Sequence, residues 1–312
     1  MSELSVTDAN GFDKVSVSSK FYAFDPNPRA PLVRLPRNTC DSQFHLLGSA
    51  DQYPVRPGTI YEMPSATWER LKHMHATLGI SRGVVVQPTT YGADHACTLD
   101  GLAALGSNYR GCANALVFVE KDDAYLEKLH AAGVRGARFS FRKVLGAVLD
   151  DKQFARAIGR IRELGWYVKI QPEQEGIMDN VHVYENLEVP VLVDHMARAN
   201  PLAGDNDPSL RKMVELLGKG NFWVMFSLPE KVSKAGAPWD DLHPIMERYL
   251  ETAPDRCLWA SDWPHPISVR QPPSEADLVE FLFRAISDEA VRHKVLVDNP
   301  AQLFGFAADE NA

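Results

Sequence analysis

Apolar and polar positions alternate along this chain on two different periods. Eight short apolar runs recur: TCDSQFH (39–45), GVVVQ (83–87), NALVFV (114–119), GARFSF (136–141), YVKIQ (167–171), PVLVDH (190–195), FWVMFS (222–227) and CLWASD (257–262). Between them lie stretches with apolar residues at helical spacing, such as SATWERLKHMHATLG, DDAYLEKLHAAG, DKQFARAIGRIRELG, PSLRKMVELLGKG and DLHPIMERYLETA. Several open at Ser or Asp and close at Gly. A side-chain acceptor there caps the first free amides, and Gly takes the left-handed closing turn. Strands that alternate with helices predict a parallel sheet with helical crossovers. Eight such units in roughly 270 residues fit a (β/α)8 barrel of the TIM type. The alternative is a doubly wound open sheet, but no GxGxxG follows the first strand. The first 35 residues are irregular and proline-bearing (FDPNPRAPLVRLPRN) and read as an arm over, or partly detached from, a single domain spanning 36–312.

Polar and titratable groups gather at the C-terminal ends of the apolar runs. Gln43 and His45 end the first, and Gln87, Thr90 and Tyr91 follow the second. Arg138, Ser140, Arg142 and Lys143 mark the fourth, and Gln171 the fifth. Asp194 and His195 end the sixth, Ser227 and Lys231 the seventh, and Asp262 and His265 the eighth. In a parallel barrel those ends and the loops after them form one mouth, where the chemistry sits. A lone His or Asp at a strand end has a bland role, as a hydrogen-bonded structural group or a turn cap. Convergence of the whole set favours a site. Arg135 and Lys169 read as solvated or inter-element positions. His73, His75, His130, His243 and His293 fall in helical patterns and read as surface or packing residues.

Composition narrows the function. The chain has 312 residues, 45% hydrophobic and 24% charged, with a net charge of −8. A nucleic-acid surface needs a basic footprint, so none is expected. Cysteines stand at 40, 97, 112 and 257 with no CxxC pair, which predicts free thiols in a cytoplasmic protein rather than a disulfide or zinc framework. The N-terminus (MSELSVTDANGFDK) is polar and acidic, and no apolar run reaches the ~18 residues a membrane helix needs.

The ordered set VVVQPTTYGAD, VRGARFSF, PVLVDHMAR, SLPEK, WASDWPHP and LVDNPAQLFGF resembles the amidohydrolase superfamily, and within it the branch of 2-pyrone-4,6-dicarboxylate lactonases. The resemblance runs from about residue 35 to 306 and implies a distorted (β/α)8 barrel that opens or rearranges small acidic lactones. By position it implies that Asp262 is the water-activating base and that His195 and the second histidine of a His-x-His pair, His45, face the reacting carbonyl together with His265. Arg138 matches a carboxylate-binding arginine. Lys231, Gln43, Tyr91, Gln171, Ser140 and Arg198 complete the expected substrate contacts.

Four positions depart from that pattern. Gln43 replaces the first histidine, Tyr91 a histidine after the second strand, Gln171 a tyrosine after the fifth, and Lys231 an arginine after the seventh. Zinc takes imidazole, thiolate or carboxylate ligands, and the amide of Gln43 is a poor substitute. A metal-free reaction is therefore expected, with zinc on His45, His195 and Asp262 as the alternative. The exchange of a planar guanidinium for the point charge of Lys231 suits a sulfonate. These departures point to a muconolactone-type substrate such as 4-sulfomuconolactone, in bacterial breakdown of aromatic compounds, over the pyrone dicarboxylate. A sugar-acid lactonase, a galactaric-type lactone isomerase and an inactive binding protein are the rivals. Isomerisation is disfavoured because Asp262 is retained, where the isomerase relative carries asparagine. Self-association is left open.

Overall fold

The computed structural model describes residues 21–59 and 65–307, together with the backbone of a short antiparallel strand pair at Leu4–Val6 and Val15–Val17. Residues 1–3, 7–14, 18–20, 60–64 and 308–312 lie outside the described residues, and with them much of the expected arm.

Eight parallel strands form a nearly closed barrel: β1 (Cys40–Phe44), β2 (Arg82–Val86), β3 (Tyr109–Asn114), β4 (Val134–Ser140), β5 (Tyr167–Gln171), β6 (Val191–Val193), β7 (Phe222–Phe226) and β8 (Cys257–Trp259). Each pairs with its neighbour in sequence order. The principal helices between and after them are α1 (Trp68–Leu78), α2 (Ala96–Leu105), α3 (Asp123–Ala131), α4 (Asp151–Leu164), α5 (Pro208–Gly218), α6 (His243–Thr252) and α7 (Glu275–Ala285). The (β/α)8 expectation holds.

The predicted cap of α3 is Asp122, the caps of α4 and α5 stand one residue ahead of the stretches read as helical, and α1 and α6 follow Thr67 and Leu242 without a side-chain cap. Asp122, Asp150 and Asp207 accept from the amides of Tyr125, Gln153 and Leu210. Gln153 returns a bond to the Asp150 amide and closes a capping box. Helix α4 then buries Phe154, Ala157, Ile158 and Ile161 against the barrel, and each large side chain there contributes about 1.5–3 kcal/mol.

Two expectations fail. The third strand is Tyr109–Asn114, ahead of the apolar run NALVFV. Val117–Glu120 folds instead as one helical turn in contact with α4. A Cβ on Gly111 would sit 2.8 Å from Val134 and 3.0 Å from Leu102, so glycine lets this less apolar segment approach its neighbours. The second failure is Lys169. It is fully buried inside the barrel, its Nζ 2.6 Å from Asp194 Oδ1, with neither side chain exposed. The interior below this pair is filled by Cys40, Val84, Cys112, Tyr167, Leu192, Trp223, Met225 and Leu258.

The barrel closes between β8 and β1 without a regular ladder. At their upper ends the Asp262 amide donates to Gln43 O (3.0 Å) and the His45 amide to Trp263 O (2.8 Å). Residues 21–35 carry neither helix nor strand and lie against the segment after β8. Tyr22 N donates to Ser268 O, and Phe24 packs edge-on to Trp263 at 4.8 Å. Among the described residues no helix is long and apolar enough to cross a membrane.

Candidate active site

The mouth at the C-terminal ends of the strands holds a cavity of about 950 Å3. Its wall includes His45 (after β1), Thr89 (after β2), Arg138 and Arg142 (β4 and beyond), Gln171 (β5), His195 and Arg198 (after β6), Lys231 (after β7) and Asp262 (after β8). The convergence expected from the strand ends is therefore present for this set.

Asp262 is the centre of the site. Its backbone is left-handed (φ 59°), a conformation that costs a non-glycine residue about 1 kcal/mol or more. Its Oδ1 accepts from the Gln43 side-chain amide and lies 3.5 Å from His45 Nε2. His45 Nδ1 stands 2.7 Å from the Val86 carbonyl. A carbonyl only accepts, so Nδ1 carries a proton and Nε2 is the atom turned to Asp262. Burial alone would raise the Asp262 carboxyl. The contact with His45 and the nearby charge of Lys231 outweigh burial and hold it well below the usual carboxylate range.

His195 sits in an unusual turn. Residues 195–198 all have φ between 54° and 56°, a short left-handed stretch built without glycine. The Tyr249 hydroxyl braces it by donating to Met196 O (3.1 Å). The turn brings both His195 and Arg198 to the mouth. His195 Nδ1 is 2.8 Å from Ser227 Oγ, which orients the ring. Burial drives the His195 pKa well below normal; Arg198, Lys169 and Lys231 add to that, and Asp262 opposes it. His195 is neutral at pH 7.

Cations line the same cavity. Arg138 Nη2 donates to Gln87 O (2.9 Å) and Thr89 Oγ1 (3.3 Å). Lys231 Nζ donates to Pro266 O (2.8 Å), and Arg198 leans on Lys231 O. Burial and the neighbouring Arg142 lower Arg198 to about 10, and burial with Arg198 and Arg142 lowers Lys231. The Nε atoms of Arg138, Arg142 and Arg198 are buried without a hydrogen-bond partner. Mutually repelling cations with unsatisfied donors leave a cavity prepared for an anion.

Other candidates stand elsewhere. Gln43 is fully buried and holds the Asp262 carboxylate instead of facing the cavity. Tyr91 is buried in the core, its hydroxyl accepting from Gly48 N. Ser140 accepts from Arg142 N and borders a separate small cavity. His265 lies behind the wall between Glu275 Oε1 (3.3 Å) and Glu230 Oε1 (3.5 Å). Burial would lower its pKa, but these two carboxylates raise it to about 9. It is a charged structural clamp in this structure, not a donor at the cavity. Thr89 and Glu230, absent from the residues singled out in the sequence, line the cavity.

A catalytic zinc usually takes three protein ligands. Among the described residues no group of three His, Cys, Asp or Glu side chains is placed to hold a metal ion. Gln43 turns an N–H toward Asp262, where a ligating side chain would offer a lone pair. This donor set does not fit a metal.

A parallel barrel with a buried carboxylate beside histidines and cations at the strand ends has the architecture of a TIM-barrel enzyme. The chain belongs to the amidohydrolase family, whose model matches residues 40–306. It is 32% identical over 277 residues to a 4-sulfomuconolactone hydrolase of Rhizobium radiobacter, covering 87% of this chain and 91% of that one. It is also 32% identical over 302 residues to a 2-pyrone-4,6-dicarboxylate hydrolase of Comamonas testosteroni, covering 94% and 97%. A crystal structure of an apo protein from Agrobacterium tumefaciens matches with a TM-score of 0.76 and 26% identity, over 91% of this chain and 99% of that one.

Proposed function

We propose that this protein is a hydrolase that opens the ring ester of a small anionic lactone in the breakdown of aromatic compounds, with 4-sulfomuconolactone favoured over 2-pyrone-4,6-dicarboxylate. The observation that carries the reading is the pairing of an ionised Asp262 with an anion-ready wall of Arg138, Arg142, Arg198 and Lys231 in one cavity. Both relatives named above act on lactones by their names. The preference between their substrates rests on Lys231. An ammonium imposes no planar fork, and its three donors suit the three oxygens of a sulfonate.

The substrate's anionic groups seat against the cations and place the lactone carbonyl over Asp262. A water between them loses a proton to the Asp262 carboxylate as its oxygen bonds the acyl carbon. His195, beside Asp262 on the cavity wall, serves as the donor to the developing oxyanion, where a preorganised N–H is worth most; His45, fixed by Val86 O, orients the carboxylate. The ring C–O bond then breaks, and the expelled oxygen takes up the proton that Asp262 received. One water is consumed, and the product is the open-chain acid.

Free Asp262 is a weak base because cations surround it. The bound anion neutralises Lys231 and Arg198 and so raises the carboxyl toward a working value. We place the reaction in the cytoplasm, in keeping with four buried free thiols, and without a resident metal, since Gln43 satisfies the Asp262 oxygen with a proton donor.

The test is a panel of 4-sulfomuconolactone, 2-pyrone-4,6-dicarboxylate, muconolactone and a galactaric lactone, assayed on protein stripped with a strong chelator and again after zinc is restored. Hydrolysis of 4-sulfomuconolactone by stripped protein is expected. Activity that disappears on stripping and returns with zinc overturns the metal-free reading. Products of unchanged mass, or no turnover of any anionic lactone, overturn the hydrolase.

A further inference from the structure

A further buried carboxylate, Asp41, lies outside the cavity lining and bonds to both sides of the barrel closure. It lies on β1, two residues before Gln43, and is fully buried. Its Oδ1 accepts from Ser261 N (3.0 Å) and Gln43 N (3.3 Å). Its Oδ2 accepts from Ser261 Oγ and faces His75 Nε2 at 3.3 Å. All four lone-pair sites of the carboxylate are therefore used. His75 is held from behind by Tyr109, 3.0 Å from its Nδ1.

These contacts meet at the gap where the barrel closes without a ladder. Ser261 and Trp263 flank Asp262, and Ser261 Oγ also accepts from Trp263 N (3.0 Å). One hydroxyl thus spans the left-handed residue, tying the chain on both sides of Asp262 to β1. The Asp262 carbonyl accepts from His265 N (2.8 Å), which finishes the tight turn. Gln43 and His45 sit on one side of the gap and Asp262 on the other. Besides the direct contacts of the Asp262 carboxylate with Gln43 and His45, the two sides are joined by two backbone hydrogen bonds and by Asp41.

We infer that Asp41 and Ser261 are positioning residues for hydrolysis: Asp41, oriented by His75, clamps Ser261 and so fixes the Asp262 carboxylate against Gln43 and His45. The inference rests on the reading of Asp262 as the base. Neither residue contacts substrate, so removing the clamp affects the chemical step and not binding. Displacement of a reacting group by about 1 Å costs on the order of 100-fold in rate.

The experiment compares Ser261→Ala, Ser261→Thr and Asp41→Asn with the parent protein. Kinetics use 4-sulfomuconolactone and 2-pyrone-4,6-dicarboxylate. The second readout, free of substrate, is the 15N signal of His45 Nε2, which reports the nearby carboxylate. In Ser261→Ala, kcat is expected to fall roughly 10–100-fold with KM within twofold. The His45 signal is expected to move toward its value in Asp262→Asn. Ser261→Thr, which keeps the hydroxyl, restores both, and Asp41→Asn moves both in the same direction as Ser261→Ala. An unmoved His45 signal in Ser261→Ala, or a kcat within twofold of the parent while Asp262→Asn is inactive, overturns the inference. Retained hydrolysis by Asp262→Asn overturns the base assignment instead, and the His45 signal alone then decides whether the clamp positions that carboxylate.

Discussion

Lys169→Met removes the counter-charge of a carboxylate that has no access to water. Lys169 Nζ and Asp194 Oδ1 are 2.6 Å apart and both side chains are completely buried. The other contact of the ammonium is Met225 Sδ at 3.8 Å, so a thioether side chain of similar length fits the space. Breaking a buried pair by removing one partner costs about 3–5 kcal/mol, because the remaining charge is uncompensated. At roughly 2–3 °C per kcal/mol for a chain of this size, the midpoint of thermal unfolding falls by about 6–15 °C. The pH dependence supplies an internal check. Burial already raises the Asp194 carboxyl, opposed by Lys169. Without Lys169 the folded pKa rises further above its unfolded value of about 3.9. The deficit is then complete above the folded pKa and shrinks as pH falls through it, because the folded protein takes up the proton first. Urea titrations of the parent, Lys169→Met and Lys169→Met/Asp194→Asn at pH 5 and pH 8 measure this. The double variant regains most of the loss. A deficit below ~1 kcal/mol at pH 8, or one that does not shrink at pH 5, refutes a buried ion pair.

Four further outcomes follow from the site. Asp262→Asn lowers kcat by about 10²–10⁴-fold while unfolding stays cooperative, as stopped-flow or steady-state hydrolysis shows. The acid limb of kcat lies at higher pH than that of kcat/KM, because bound anion raises the Asp262 carboxyl from its depressed free value; coincident limbs refute the coupling. Lys231→Ala raises KM for anionic lactones roughly 10–100-fold by removing one charge-assisted contact, and an unchanged KM across the panel excludes Lys231 from substrate binding. His265 has a folded pKa raised from 6.5 to about 9, so its contribution to stability is present below pH 6.5 and lost as pH rises through 9. In His265→Gln that loss of stability between the two values disappears from the pH series of melting temperatures.

Much of this arrangement is visible in the sequence where a local rule applies. The Asp cap of α4 and the Gly closures of α1 and α4 follow from free amides and left-handed turns, and the helices begin and end close to them. The polar strand ends are legible because a parallel barrel collects them on one face. Strand β3 escapes because Tyr-Arg-Gly-Cys-Ala-Asn is less apolar than the run after it, and packing against Leu102 and Val134 overrides composition. Lys169 escapes for a different reason. The period of two in YVKIQ places Tyr167, Lys169 and Gln171 on one face, a face that is polar in a half-exposed sheet. In a closed barrel that face is the interior, and the apolar Val168 and Ile170 point to the helices. His265 reads as a site histidine because it is three residues from Asp262, but the two glutamates that turn it away come from separate segments. No spacing reveals Asp41, whose meaning lies in Ser261, 220 positions distant.

The division between barrel and loops bears on how such an enzyme acquires new specificity. Asp262, Gln43 and His45 are bound to one another and to the strand framework, so a change at any of them disturbs the others. Arg142, Arg198 and Lys231 stand on segments beyond the strand ends, and the side chains of Arg198 and Lys231 rest on main-chain carbonyls. Exchange of these cations alters which anion is accepted and retunes Asp262 and His195 through charge alone, while the hydrogen bonds that hold the carboxylate stay in place. Descent with changed diet then needs only a few substitutions on the rim, each separately selectable, while the interior is inherited as a block.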